Sequence, residues 1–290
     1  MSSDSTVKIR IYISYDGTHY HGWQRQVGSL QTVQEVLENR FSRLLNSKIS
    51  IQASGRTDAG VHARVQVAHA RIPVAGFERF FKHKSLPTSK SGFVSEVLDA
   101  PGAHLVHGLN SILPTDIRVL KIDPVASDFH AQRDACRKKY IYLIDQSKVQ
   151  LPFLRHYSWH LRYPLNLEQM QRATQLLIGT HDFASFCGAG STVKTTRRTI
   201  YKASIKVGSE LLIFEVVGSG FLKNMVRSIV GTLVLIGSNK TVRLEHTGPV
   251  VAADVDYMQR LIHQPNRLNI GPTAPPHGLW LWDVYYPAKT

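Results

Sequence analysis

A chain of 290 residues is long enough for one large domain or two modest ones, at roughly 100–200 residues per domain. With 43% hydrophobic and 19% charged residues, its composition is globular and excludes a disordered or fibrous chain. Lys and Arg number 35 against 21 Asp and Glu, a formal charge of +14, which points to a polyanionic partner, nucleic acid ahead of an anionic membrane.

The first residues, MSSDSTVKIR, carry no apolar signal core, so secretion is not expected. Val7 to Tyr15 alternates, with Val7, Ile9, Ile11 and Ile13 on one face and Lys8, Arg10 and Tyr12 on the other. This is the period of a half-buried strand, and it ends at the turn signal Asp16-Gly17. Thr32 to Leu45 predicts a helix, with Thr32 and Glu35 at capping-box spacing and Val33, Val36, Leu37, Phe41 and Leu44 at helical intervals. A short apolar run (Ile49 to Ala53), a glycine-bracketed loop and an alternating strand from Arg64 to Arg71 follow, and Lys82 to Gly92 reads as a surface loop. A second series holds a strand at Tyr140 to Ile144, a helix from Leu167 to Ile178 capped by Asn166, and strands near Thr199 to Val207 and Leu211 to Val217. It closes with a helix from about Leu222 to Leu235 and an aromatic strand at Leu279 to Tyr285. Short alternating strands mixed with a few amphipathic helices predict an α+β class rather than a regular βαβ series. The most apolar stretch, Ile229 to Ile236, is far shorter than the ~18–20 residues of a spanning helix, so no membrane is expected.

Several site chemistries find no support. Gly218-Ser-Gly220 is followed by Lys223 where a dinucleotide fingerprint needs glycine, and no GxxxxGK[ST] occurs. His156 and His160 have i, i+4 spacing without a third ligand, so metal chemistry is not expected. Two cysteines, Cys136 and Cys187, make no disulfide framework, which suits a reducing compartment.

The basic clusters are more informative. Arg137-Lys138-Lys139 precedes the strand that carries Tyr140 and Tyr142, and Phe183 to Ser209 holds Lys194, Arg197, Arg198, Lys202 and Lys206 with no acidic residue. Each alone is a solvated face. Together with strand-borne aromatics they suggest a surface that tracks phosphates and stacks unpaired bases. The loop Ser54 to His62, SGRTDAGVH, sets Asp58 between glycines. Asp beside Gly is ordinary turn chemistry. A carboxylate in such a loop near Arg56 is nonetheless reachable by a bulky substrate, and the guanidinium favours the ionised form that a nucleophile requires.

GRTDAGVHA (Gly55 to Ala63) resembles the signature of the TruA family of tRNA pseudouridine synthases. YDGTHYHGWQRQ (Tyr15 to Gln26), TVQEVLE (Thr32 to Glu38), QVAH (Gln66 to His69), LNSILPTDIRV (Leu109 to Val119) and FHA (Phe129 to Ala131) are similar to further family segments. GTHDFASF (Gly179 to Phe186), GFLKNMVRSIVGTL (Gly220 to Leu233) and APPHGLWL (Ala274 to Leu281) complete the collinear order. The resemblance implies two RRM-like α/β halves joined in a continuous mixed, mostly antiparallel sheet with flanking helices and a central basic cleft. The halves would be residues 1–123, carrying the catalytic Asp loop, and 124–290, completing the cleft. It implies conversion of uridine to pseudouridine in the anticodon stem-loop of tRNA, around positions 38, 39 and 40, by a cytoplasmic (or organellar) homodimer without cofactor or metal. By resemblance Asp58 is the nucleophile, Tyr140 lies against the target base and helps remove the C5 proton, and Arg227 pairs with the aspartate. Arg56 would contact RNA and help extrude the uridine, with Lys138, Lys139, Arg197 and Arg198 as further RNA contacts.

Three features depart from the family pattern. Gln132 and Arg133 follow FHA where Arg and an aromatic are usual, Lys138 stands where Arg is common, and the segments 82–92 and 239–254 are unlike their counterparts. The alternative on the same fold is a catalytically inactive RNA-binding or chaperone protein, which should have lost one of Asp58, Tyr140 and Arg227. A third reading, an N-glycosidase, would release free uracil.

Overall fold

The computed structural model describes residues 5–28, 30–81, 102–244, 248–266 and 270–287. The Lys82 to Gly92 loop lies outside them. The chain divides into two compact units, Met1–Cys136 with Asp283–Thr290, and Arg137–Trp282.

The first unit is built on β1 (Thr6–Tyr15), with β3 (His62–Pro73) and β4 (Ile117–Pro124) antiparallel on its two sides and β2 (Ile51–Ala53) antiparallel to β3. The period of two in β1 holds. Ile9, Ile11 and Ile13 are fully buried, while Lys8, Arg10, Tyr12 and Ser14 line the half-exposed face. Helix α1 (Val33–Leu45) buries Val33, Leu37 and Phe41, the i, i+4, i+8 stripe expected of it. Its cap is Thr32, whose Oγ1 accepts from the Glu35 N–H. Helices α2 (Val74–Phe81) and α3 (Ala103–Ile112) complete the unit, and α3 packs on β4.

In the second unit β5 (Arg137–Asp145), β9 (Leu211–Gly218), β8 (Arg197–Val207) and β7 (Gly179–Asp182) are antiparallel neighbours in that order. The short β6 (Trp159–His160) runs parallel to β5. One face of this sheet carries Tyr140, Tyr142, Val216, Phe214, Ala203 and Ile205, all buried, and α4 (Leu167–Gln175) packs against β8. α4 in turn packs on α5 (Met225–Gly237) and α6 (Val255–His263). The α4 cap is Asn166, as read from the sequence, and the helix ends at Gln175 rather than Ile178 because the Leu177 and Ile178 amides turn back by three residues, to Thr174 and Gln175. α5 starts at Met225 rather than Leu222, since Asn224 takes the left-handed conformation at φ 59°. A Cβ at Gly231 would overlap the Pro272 carbonyl, so glycine there lets the strap at Pro272–Ala274 lie against the helix backbone.

β12 (Leu279–Tyr285) gives its first four residues to the second unit and the rest to the first. A small hairpin, β10 (Thr241–Arg243) with β11 (Val250–Ala252), occupies part of the atypical segment 239–254. Two α/β units of mixed, mostly antiparallel strands with flanking helices constitute the expected α+β class. Among the described residues no helix is long and apolar enough to cross a membrane.

Candidate active site

In the first unit, the connection from β2 to β3 carries Arg56 and Asp58, and it is tied down from several directions. Gln66, fully buried on β3, reaches back to its start: Nε2 donates to the Gly55 carbonyl at 2.9 Å and Oε1 accepts from Ser54 Oγ at 2.7 Å. Thr57 shares a buried 2.7 Å hydrogen bond with the Tyr15 hydroxyl, whose pKa burial pushes up to about 12. The Trp23 N–H donates to the Thr57 carbonyl at 3.1 Å, and the Gly60 N–H donates to the Tyr20 carbonyl at 3.3 Å. The Val61 N–H closes the turn on the Asp58 carbonyl at 3.2 Å. Gly22 sits at φ +87°, and a Cβ on it would stand 2.7 Å from the Thr57 oxygen. Glycine is therefore needed there both for the backbone conformation and for the approach of the Tyr15–Trp23 segment to the loop. The result is a rigid loop that holds Asp58 half-buried and Arg56 exposed.

In the second unit, strand alternation sorts the neighbouring β5 residues. Lys138 and Tyr140 lie on the helix-covered face with Tyr142, and Lys139 lies on the other. Tyr140 is 8% exposed, and its ring meets Phe221 edge-on at 5.1 Å. Burial lowers the Lys138 ammonium to about 8. Lys139 Nζ instead stands 2.8 Å from the carboxylate of Glu215, which also pairs with Lys202 at 2.7 Å. Burial alone would raise that carboxyl, but hydrogen bonds and charge from the two lysines bring it down to about 2.

Arg227 occupies the first turn of α5. Its Nε donates to the Ala274 carbonyl at 2.8 Å, an Nη donates to Asn224 Oδ1 at 3.3 Å, and the Ala274 N–H returns to the Arg227 carbonyl at 3.1 Å. The guanidinium is thus fixed at the positive end of a helix macrodipole, an electropositive spot suited to a carboxylate or phosphate. Arg197 and Arg198 open β8. Arg198 donates to the Thr195 and Arg197 carbonyls, and Arg197 lies opposite Asp182 in register.

Arg56 and Asp58 thus share one loop of the first unit, while Lys138, Tyr140 and Arg227 belong to the helix side of the second. The residues that hold the loop, Gln66, Tyr15, Trp23 and Gly22, lie within the family-like segments of the sequence, which gave them no role of their own. In register Gln66 stands opposite the buried Ile13, a pairing that only the structure shows. Among the described residues no group of three or more His, Cys, Asp or Glu could hold a metal ion.

A family model described as tRNA pseudouridine synthase matches residues 11–132 and 173–287. Those segments hold Arg56, Asp58, Arg197, Arg198 and Arg227, while Lys138, Lys139 and Tyr140 fall between them. The chain is 37% identical over 278 residues to tRNA pseudouridine synthase A of Thermoanaerobacter sp. (strain X514), covering 96% of this chain and 99% of that one. It is 38% identical over 282 residues to tRNA pseudouridine synthase A of Bacillus pumilus (97% and 99% covered). It is 39% identical over 278 residues to that of Pelobacter propionicus (96% and 99% covered). A solved structure described as a Cbf5-Nop10-Gar1 complex aligns over 90% of this chain and 69% of that chain at TM-score 0.30 and 11% identity, too low to bear on the fold. With both the Asp58 loop and the Arg227 helix inside the matched segments, the chain belongs to the tRNA pseudouridine synthase family.

Proposed function

We propose that this protein isomerises uridine to pseudouridine in the anticodon stem-loop of tRNA, around positions 38, 39 and 40, with Asp58 as the nucleophile. The observation that carries this reading is a half-buried aspartate at the centre of a loop locked by Gln66, Tyr15 and the Trp23 amide, in a chain of this family. The reaction breaks the C1′–N1 bond, turns the uracil and joins C5 to C1′. C5 gives up its proton and N1 gains one, so the atoms balance without co-substrate, metal or redox cofactor. Asp58 acts by adding to uracil C6 or at ribose C1′, and both routes need an ionised carboxylate in a fixed position. Arg56, exposed on the same loop as Asp58, contacts RNA and helps extrude the uridine. In this reading Tyr140 lies against the base and draws off the C5 proton, and Arg227 is the cation that keeps the aspartate charged. Lys138, on the Tyr140 face, and Arg197 and Arg198 add phosphate contacts, which offset the few kcal/mol needed to unstack the uridine. Exclusion of water matters, because a detached uracil exposed to water would be lost. The working form in this reading is a cytoplasmic homodimer, which sedimentation equilibrium and cell fractionation would check.

Tritium release from [5-³H]uridine tRNA tests the assignment. Asp58→Asn is expected to lower the rate by roughly 10³-fold or more, as loss of a covalent catalyst does, with tRNA binding largely retained. Wild-type turnover in that variant would remove Asp58 from its role, and free uracil as product would turn the reading toward a glycosidase.

A further inference from the structure

The second unit presents a sheet face on the opposite side from Tyr140, and its chemistry is not used by the isomerisation. Register places three rows across it: Lys139–Val217–Lys202, Ile141–Glu215–Ser204 and Leu143–Ile213–Lys206. Glu215 stands in the middle of the central strand, 6% exposed, with Lys139 at 2.8 Å, Lys202 at 2.7 Å and Lys206 at 3.6 Å. One buried carboxylate thereby draws in ammonium groups from the rows on either side of its own, each ~7 Å away. At the edge of the array Arg137 lies 4.8 Å over the Tyr201 ring, at the β-bulge of β8, and Tyr201 as a residue remains 45% exposed. The lysine side chains at 202 and 206 are 56% and 60% exposed.

We propose that this face is a second RNA-docking surface. Arg137, Lys202 and Lys206 would hold the phosphate backbone of the tRNA body, with Tyr201 as a stacking platform for an unpaired base, while the anticodon stem-loop is engaged by the residues around Asp58 and Tyr140. The proposal rests on reading the chain as a tRNA enzyme and extends it to where the rest of the substrate is gripped. Charge chooses the occupant. Three lysines gather on one carboxylate and Arg137 stands at the edge of the array, a surplus that a polyanion complements, whereas a second copy meeting this face with its own would bring like charges together. A guanidinium-backed aromatic between cations is the arrangement that binds single-stranded segments without reading sequence. Glu215 preorganises the lysines: held on a common anchor, they lose less side-chain freedom when a phosphate arrives.

The test compares full-length tRNA with an isolated anticodon stem-loop, by filter binding across a salt series and by tritium release. Lys202→Gln with Lys206→Gln leaves Lys139 on the buried Glu215, and Tyr201→Ala alters no ion pair. The double variant is expected to weaken full-length tRNA binding about tenfold and to lower the slope of log affinity against log salt by about 2. Tyr201→Ala should weaken it about fivefold. Neither variant should alter binding or turnover of the stem-loop. Unchanged tRNA affinity, or an equal loss on both RNAs, would overturn the proposal. So would a shift in oligomeric state in place of a shift in affinity, which would assign the face to a second copy. Wild-type turnover of the stem-loop reports on the enzymatic reading separately. If the wild type binds tRNA but forms no pseudouridine, that reading falls while the binding arm still decides the surface.

Discussion

Replacing Gln66 by leucine removes the side chain that ties the Asp58 loop to β3 while roughly preserving its volume. The residue is fully buried, and its amide makes three hydrogen bonds. Oε1 accepts from Ser54 Oγ at 2.7 Å and from the Val67 N–H at 3.1 Å, and Nε2 donates to the Gly55 carbonyl at 2.9 Å. Each buried polar group left unsatisfied costs about 1–3 kcal/mol. The Ser54 hydroxyl can turn, so the three losses together come to about 3–5 kcal/mol, a large part of the ~5–15 kcal/mol that holds a typical protein folded. Activity should fall as well, since a misplacement of the catalytic group by ~1 Å costs about 10²-fold in rate. Urea unfolding gives the first quantity, and single-turnover tritium release on the folded protein gives the second. Gln66→Glu isolates the donor, because it keeps the acceptor oxygens and turns a carboxylate oxygen toward the Gly55 carbonyl. A leucine variant that loses stability but turns over at the wild-type rate would refute the claim that Gln66 sets the position of Asp58.

Gly22→Ala forces a side chain onto a left-handed backbone, at about 1–2 kcal/mol, and the new Cβ pushes the Thr57 carbonyl away from 2.7 Å, so stability and rate should both drop. Gly28→Ala is the control: φ is +112°, so the backbone cost is of the same kind, but nothing lies within 4 Å of its Cβ, so stability should drop with the rate of tritium release intact. His69 Nδ1 accepts from the Ala131 N–H at 3.2 Å, and burial, with help from the charge of His130, lowers its pKa from 6.5 to about 4. The unfolded chain therefore takes up this proton first. The stability that His69 contributes is complete above about 6.5 and is lost as pH falls toward 4. Urea midpoints at pH 7 and pH 5 should differ more for the wild type than for His69→Asn, whose amide oxygen can accept the same N–H without titrating. An equal pH response in the two proteins would remove His69 as its source.

Much of the local structure could be read before any coordinates. The β1 alternation, the Thr32 and Asn166 caps and the extent of the last strand follow from short-range sterics and hydrogen bonding, which neighbouring residues determine among themselves. The Asp58 motif was legible for the same reason, being continuous in sequence. Helices α2 and α3 were not. α3 begins on Gly102 with no side-chain cap, and α2 follows β3 directly at Pro73, so neither shows a start signal. β6 and β7, of two and four residues, are too short for a period to show. Alternation alone separates Lys138 from Lys139. Which of them is buried beside Tyr140 and which stands over Glu215 depended on helices, Leu167–Gln175 and later ones, packing against one face of the sheet from far along the chain. The hold of Gln66 on Gly55, the strap of Ala274 on Arg227 and the membership of residues 283–287 in the first unit are likewise contacts between distant segments. Such contacts are settled by which surfaces can be buried together, and no local window of sequence contains both surfaces.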